Sequence, residues 1–483
     1  MEKRRGTGWA LLLLFLASAA MLLLCNLYME NYVTVGGKPV LRNVEYLCYQ
    51  DDIPENPEQL AQLKHLKTLD LRGTGITAEQ YLSVNQALPD CEILWSVPFQ
   101  GDYVDMDTPT LRIGRLTEED LDQMVYFTAL QTLDARGCRD YGPLRELMQA
   151  RPELNVIYDM EISGETYLWD TREMELADPD ADLLEELLPM LPELERITFT
   201  GKRPEDERIR NWMAEYPDVV FDWQFEVCGV AASSLDTELI LNDIPMESVE
   251  EVETALGNFH NLQWVEMCNC GIPSEEMDAL WKRHPDTRFV WTVQVGFATL
   301  RTDVEVFMPY KFGNYSTLGI QDSDTAELKY CVDMVCMDLG HMEITDYSYL
   351  EYMPKLKYLI LADTNGTDFS ALAGLKELVY LEIFMTRFDQ AEVLTGLTKL
   401  EDLNIGNSRL DNIEPLLEMT WLKHLWLPGN VKVSHSERKQ VVDALPDTQV
   451  MYASMGSTGE GWRELPNYYA MRDLLEMPYF PGW

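Results

Sequence analysis

Apolar positions in the C-terminal third recur every 22 residues without a gap. Met334, Leu356, Leu378, Leu400 and Leu422 are equivalent. Three positions on stand Met337, Leu359, Leu381, Leu403 and Leu425, and two further on Leu339, Leu361, Ile383, Ile405 and Leu427. Later in the unit Leu350, Leu372, Leu394 and Leu416 align, followed by Met353, Leu375, Leu397 and Met419. The L-x-x-L-x-L spacing puts alternate side chains on one face of a short strand, and the later pair closes the return stroke of a coil. One unit cannot bury its own apolar face, so the units are expected to stack into one parallel sheet over a continuous core. Thr364, Thr386, Ser408 and Asn430 fall in a single column after the strand. Short polar side chains there are expected to hydrogen-bond the turn backbone of neighbouring coils, which burial would otherwise leave unpaired.

A looser repeat fills residues 44–300. LKTLDLRGT at 66 returns as LQTLDARGC at 130, LERITFTG at 194 and LQWVEMCNC at 262. Each precedes a helix-like stretch and then a Pro-led strand, as in PDCEILWSVPFQG at 89 and PELNVIYDMEISG at 152. A third strand opens with Asp-Thr at 107, 170 and 236. The supermodule is about 65 residues, with three strands and two helical returns, which reads as three coils of roughly 22. Periodicity fails over 301–330. PDTQVMYASMG at 446 repeats the Pro-led strand, so 331–455 is the regular section and 456–483, rich in aromatics, is expected to cap the open core of the last coil.

These units resemble leucine-rich repeats, in particular the 22-residue class of bacterial internalin-like proteins. Asn412-Ile413-Glu414-Pro415-Leu416 looks like that class's return segment. The polar column is Thr or Ser in most units here where the family usually has Asn, and Gly366 stands where an apolar residue is usual. The resemblance implies an α/β repeat solenoid, a leucine-rich-repeat horseshoe with a parallel concave sheet, that works by binding a protein or glycan rather than by catalysis.

The N-terminus carries a different signal. Lys3, Arg4 and Arg5 precede an apolar run from Trp9 to about Met29, long enough as a helix for a ~30 Å hydrocarbon core. The expected layout is a short cytoplasmic segment (1–8), a transmembrane signal anchor (9–29) and a linker (30–43), with the repeats outside the cytoplasm. Cleavage near Ala17-Ser18-Ala19 would instead release a secreted binding protein. Leu22-Leu23-Leu24-Cys25 resembles a lipid-attachment box but has Leu24 where a small residue belongs.

Composition narrows the partners. The net charge is −44, from 38 Lys plus Arg against 82 Asp plus Glu. Such a field repels nucleic acid and anionic headgroups. The chain has nine cysteines, an odd and sparse count for a disulfide scaffold, and Cys268-Asn-Cys270 lacks a second pair at zinc spacing. Six histidines form no HExxH pair, and no phosphate-cradling Gly-rich run or GxSxG elbow appears. No cofactor, metal or catalytic residue is therefore assigned. Asn314-Tyr315-Ser316 and Asn365-Gly366-Thr367 match the glycosylation sequon.

The 22-residue register names the outward positions of the concave sheet. Tyr358, Tyr380 and His424 share one column, Ile360 and Trp426 the next, and Phe384 lies in a third. Large apolar groups facing solvent are expected to mark a binding surface. The candidate binding residues are thus Tyr358, Ile360, Tyr380, Phe384, His424 and Trp426. A structural component of the cell envelope, with the array as spacer, is the alternative function.

Overall fold

A computed structural model of the protein describes residues 5–49, 57–309 and 319–477. The chain divides into two compact units, Met1–Phe221 and Asp222–Trp483. The first unit opens with a 27-residue helix, Arg5–Asn31, of which the 23 residues Trp9–Asn31 are apolar enough to cross a membrane. At 1.5 Å per residue they span about 35 Å. The segment expected as a linker is instead an antiparallel hairpin, Tyr32–Val35 with Lys38–Leu41. It is folded because Val33 and Val35 are buried and the Gly36 N–H donates to Gln59 Oε1 at 3.0 Å.

Parallel three-stranded sheets then follow in the first unit. They comprise Tyr46–Cys48, Thr68–Asp70 and Glu92–Leu94; Thr110–Arg112, Thr132–Asp134 and Asn155–Ile157; and Glu173–Leu176, Arg196–Phe199 and Val220–Asp222. Helices make the returns after the first two strands of a module. Helix Ala78–Ala87 starts at a Thr77/Gln80 capping box and helix Glu118–Met124 at a Thr117/Asp120 one, each satisfying backbone donors that the helix itself leaves unpaired.

The expectation of three equivalent coils per supermodule is corrected at the third strand. Its chain returns through an antiparallel hairpin, Ser96–Phe99 with Asp102–Asp105 and Asp159–Ile162 with Glu165–Leu168. The turns explain why. Gln100-Gly101 has φ of 51° and 90°, and Ser163-Gly164 has 54° and 83°. Two consecutive positive φ values make the tight turn whose twist suits a hairpin, and glycine adopts the second at little steric cost. Trp95, Val97 and Phe99 pin the first of these hairpins to the core.

The second unit begins with the same plan. Hairpin Gln224–Val227 with Val230–Ser233 turns at Cys228-Gly229, φ 49° and 80°. Strands Glu238–Ile240, Trp264–Met267 and Arg288–Val295 run parallel, and Ala298–Arg301 folds back on the last. A seven-stranded parallel sheet then runs from Val306–Phe307 through Cys336–Asp338, Tyr358–Ile360, Tyr380–Glu382, Asp402–Asn404 and His424–Trp426 to Gln449–Met451. The segment 301–330 is therefore not wholly irregular, because Val306 pairs with Cys336. Asn314-Tyr315-Ser316 lies outside the described residues.

Returns between these strands are short, 3₁₀ turns such as Ser348–Tyr352 and Ser370–Gly374, until helix His435–Ala444 ends the series. Leu359, Leu381, Leu403 and Leu425 stack without solvent exposure on the inner face. The polar column is buried beside them, and its bonding differs from expectation. Thr364 and Thr386 donate to the carbonyls of Leu361 and Ile383, three residues back in their own coils, each at 2.6 Å. Asn430 instead bonds the backbone of the preceding coil. It donates to Ile405 O at 2.9 Å and accepts from the N–H and hydroxyl of Ser408. The threonine hydroxyl reaches its own turn's carbonyl, and Thr364 meets the neighbouring coil through the Tyr347 hydroxyl, whereas an amide carries a donor and an acceptor on a longer arm.

Candidate functional site

Strand pairing sets Tyr358 beside Tyr380, Asp402 and His424, and Ile360 beside Glu382, Asn404 and Trp426. These side chains project from the sheet face opposite the leucine core, as the period-2 rule requires. They do not face solvent. Tyr380 and Trp426 are 0% exposed, Phe384 7% and Ile360 8%, while Tyr358 and His424 are half-buried. The expectation of an open aromatic surface is corrected: the C-terminal segment lies across it.

That segment was expected to cap the end of the last coil. Instead Trp462, Leu465, Tyr468, Met471 and Leu475 form one buried cluster with Met308, Cys336, Ile360, Tyr380, Phe384 and Trp426. Their spacing of three or four residues puts them on one side of a turn at Trp462–Glu464 and a helix at Pro466–Leu474. Pro466 opens that helix, where its missing N–H costs nothing. The Trp462 ring sits 5.2 Å from that of Tyr380 and 5.3 Å from that of Trp426, centre to centre.

Polar contacts fix the register. The Trp462 indole donates to Glu382 Oε1 at 2.6 Å, and the Tyr380 hydroxyl donates to the same oxygen. The Trp426 indole donates to Gly459 O at 3.0 Å. Asn404 Nδ2 donates to Ser457 O at 2.9 Å, and Asn467 Nδ2 to Glu401 Oε2 at 3.1 Å.

Three carboxylates are buried beneath or beside the segment. Burial pushes Asp338 up to about 7, against the Gly340 N–H that bonds its carboxylate at 3.0 Å. Burial also raises Glu382, opposed by its bonds from Tyr380 and Trp462. Asp402 is raised by burial in spite of His424, whose Nδ1 lies 2.6 Å from its Oδ1. The side chains of Arg463 and Arg472 favour the charged form of Glu382, and Arg472 that of Asp338. The face is therefore an aromatic floor with embedded carboxyl groups, met by a segment that brings an indole donor and two guanidinium groups.

Comparison with known proteins gives loose structural likenesses only. No family model matches the chain, and no curated protein does. An internalin from Listeria monocytogenes is 15% identical over 88% of this chain and 87% of its own, with a TM-score of 0.24. Internalin C2 from the same species is 19% identical, over 46% of this chain and 76% of its own, at 0.21. A leucine-rich-repeat protein from Leptospira interrogans is 14% identical, over 85% and 94%, at 0.28. What decides the fold lies in the chain itself. Strand partners fall 22 residues apart from Cys336 to His424, with leucines alternating inward and a buried polar column behind them.

The fold is a leucine-rich-repeat solenoid.

Within the repeats one further concavity, of about 650 Å³, opens on the return side among Trp281, Tyr330 and Tyr352. Its charges pair within it: Lys282 bonds Asp278 at 2.6 Å, and the Lys329 ammonium stands 4.8 Å from the centre of the Tyr330 ring. The outward aromatics stand in the columns that the 22-residue register assigns, but Glu382, Asp338 and Trp462 were not among the candidates. Glu382 and Asp338 share a column with Ile360 and Trp426, so acids alternating with large apolar groups were the available signal.

Proposed function

We propose that this is an extracytoplasmic, membrane-anchored leucine-rich-repeat protein that recognises a protein ligand at the cell surface through the outward face of its seven-stranded sheet. The observation carrying this reading is that the face already holds a peptide segment, with Trp462 seated on Tyr380 and Trp426 and bonded to Glu382. Buried aromatic anchors around a directed hydrogen bond are what protein-recognition surfaces are built from. Tyr358 and His424, half-buried beside the seated segment, are the positions through which a ligand first touches this face. Anchoring is supported by the apolar helix Trp9–Asn31 behind Lys3, Arg4 and Arg5.

Protease treatment of intact cells, followed by a blot of membrane and medium fractions, tests the placement. The expected result is a full-length membrane band that is shaved from outside. A shorter band in the medium would replace the anchor with an exported binding protein, and protection from protease would overturn the surface reading. Recognition is tested by a photo-crosslinking residue at Tyr358 of the full chain. One protein adduct is expected, lost on His424→Ala, and adduct formation indifferent to that substitution would count against the site.

A further inference from the structure

We propose that residues 456–477 are an internal stand-in for the ligand, a segment that occupies the recognition face until a partner's turn-helix segment, with a tryptophan on the turn and an arginine on the helix, replaces it. The inference rests on the reading that this face is the recognition surface, and adds what the ligand looks like and what guards the site.

The segment is sorted like a bound ligand. Its acids Glu460, Glu464, Asp473 and Glu476 are all exposed, whereas Trp462, Tyr468 and Met471 are buried and Arg472 is only 6% exposed. The guanidinium of Arg472 acts on Asp338 and Glu382 from this buried position. In a chain of net charge −44, a segment that turns its acids outward and its arginine inward sets a cation, and none of its own carboxylates, against the buried carboxyl groups beneath it.

The surface, in turn, does not need the segment to fold. The repeats' own core is on the other side of the sheet, where Leu359, Leu381, Leu403 and Leu425 are fully buried by neighbouring coils. Glu382 keeps the Tyr380 hydroxyl as a partner when the indole leaves. A cap would lie on the last coil alone, yet the cluster joins this segment to Met308, Cys336, Ile360, Tyr380 and Trp426, from the first strand of the sheet to the sixth. What departure of the segment uncovers is an indole-sized site at Tyr380, Trp426 and Glu382, with Asp338 further along the same face. A partner segment therefore needs an indole N–H for Glu382, placed on a turn ahead of a helix, and a cation on that helix for Asp338, as Trp462 and Arg472 are placed here.

The test uses the full chain in detergent and a fluorescent synthetic peptide of residues 456–477 as probe. Trp462→Ala loosens the resident segment, and that chain is expected to bind the probe at least tenfold more tightly than the unsubstituted chain. Arg472→Ala, a milder change, is expected to give a few-fold gain. A probe lacking its tryptophan should lose the gain, as should a Trp462→Ala, Glu382→Leu chain, which has no acceptor for the indole. Equal binding to substituted and unsubstituted chains, or none to a Trp462→Ala chain that still melts cooperatively, overturns the proposal. Loss of cooperative melting in both single variants overturns it as well, since the segment would then be part of the fold. Because the probe is the chain's own segment, exchange can succeed while surface placement fails, and the reverse, so the two readings stand or fall separately.

Discussion

Tyr347 fills the space that a side chain at position 366 would take. A Cβ built on Gly366 would lie 2.2 Å from Tyr347 Cε2, while the tyrosine hydroxyl accepts from the Gly366 N–H at 3.0 Å and pairs with Thr364 Oγ1 at 2.6 Å. A fully buried ring from one coil thus replaces the apolar residue missing from the next. Gly366→Ala is expected to destabilise the protein by about 2–3 kcal/mol through overpacking. Adding Tyr347→Ala should cost less than the sum of the two single changes, because the residues share one volume. Thermal melts of the four proteins give the comparison, and strict additivity would contradict it.

The Met385 backbone is in the left-handed region at φ 59°, in a column with His341, Asp363, Asn407 and Gly429, all of positive φ. A long unbranched side chain gains nothing there, and Met385 is 47% exposed. Met385→Gly or Met385→Asn is expected to raise stability by about 0.5–1 kcal/mol, or roughly 1–3 °C in Tm. A lower Tm for both variants would refute the strain argument.

Asn430 and Thr386 occupy equivalent places with unequal duties. The amide serves Ser408, Ile405 and its own turn, whereas the threonine hydroxyl serves only its own coil, donating to Ile383 O and accepting weakly from the Phe388 N–H. Asn430→Ala should cost about 2–4 kcal/mol, since it strands several buried partners, and Thr386→Val about 1 kcal/mol. Denaturant titration would expose the error if the two costs were alike.

Stability should fall as pH rises through neutrality. The Asp338 carboxyl, ordinarily near 3.8, is held at about 7 by burial, so the folded protein keeps a proton that the unfolded chain releases. The stabilisation is fully present below pH 4 and is lost as pH climbs to 7, by up to about 4 kcal/mol. Glu382 and Asp402, also raised, add in the same direction. Asp338→Asn keeps the acceptor for Gly340 and should flatten this dependence, with a higher Tm than the unsubstituted protein at pH 8. Melts from pH 5 to 8 that superimpose in slope would rule Asp338 out as the source.

The register of the regular repeats was legible because a 22-residue period repeats five times on leucines that can only point inward. The hairpins were legible in principle, since each Pro-led run ends in an x-Gly pair, Gln100-Gly101, Ser163-Gly164 or Cys228-Gly229. A coil period of 22 runs through the whole supermodule and masks them, while two positive φ values dictate a reversal instead. Burial of Tyr380 and Trp426 was not legible. Their column fixes the face on which they emerge, but what covers that face depends on a contact 36 to 82 residues away in sequence, between Trp426 and Trp462 and between Tyr380 and Trp462. The apolar spacing of Trp462, Leu465, Tyr468, Met471 and Leu475 announced an amphipathic segment without naming the surface it meets.

The hairpins that end each supermodule have an evolutionary corollary. The first three interrupt the strand-to-strand hydrogen bonding after three strands, whereas the fourth continues its third strand, Arg288–Val295, so a block of about 65 residues ahead of each of the first three breaks is a self-contained cassette. Duplicating or losing one leaves its neighbours in register, whereas the same event inside the seven-stranded sheet must respect a 22-residue step and every partner across it. A change of length is thus easier to absorb in the first part of the chain than in the seven-stranded sheet.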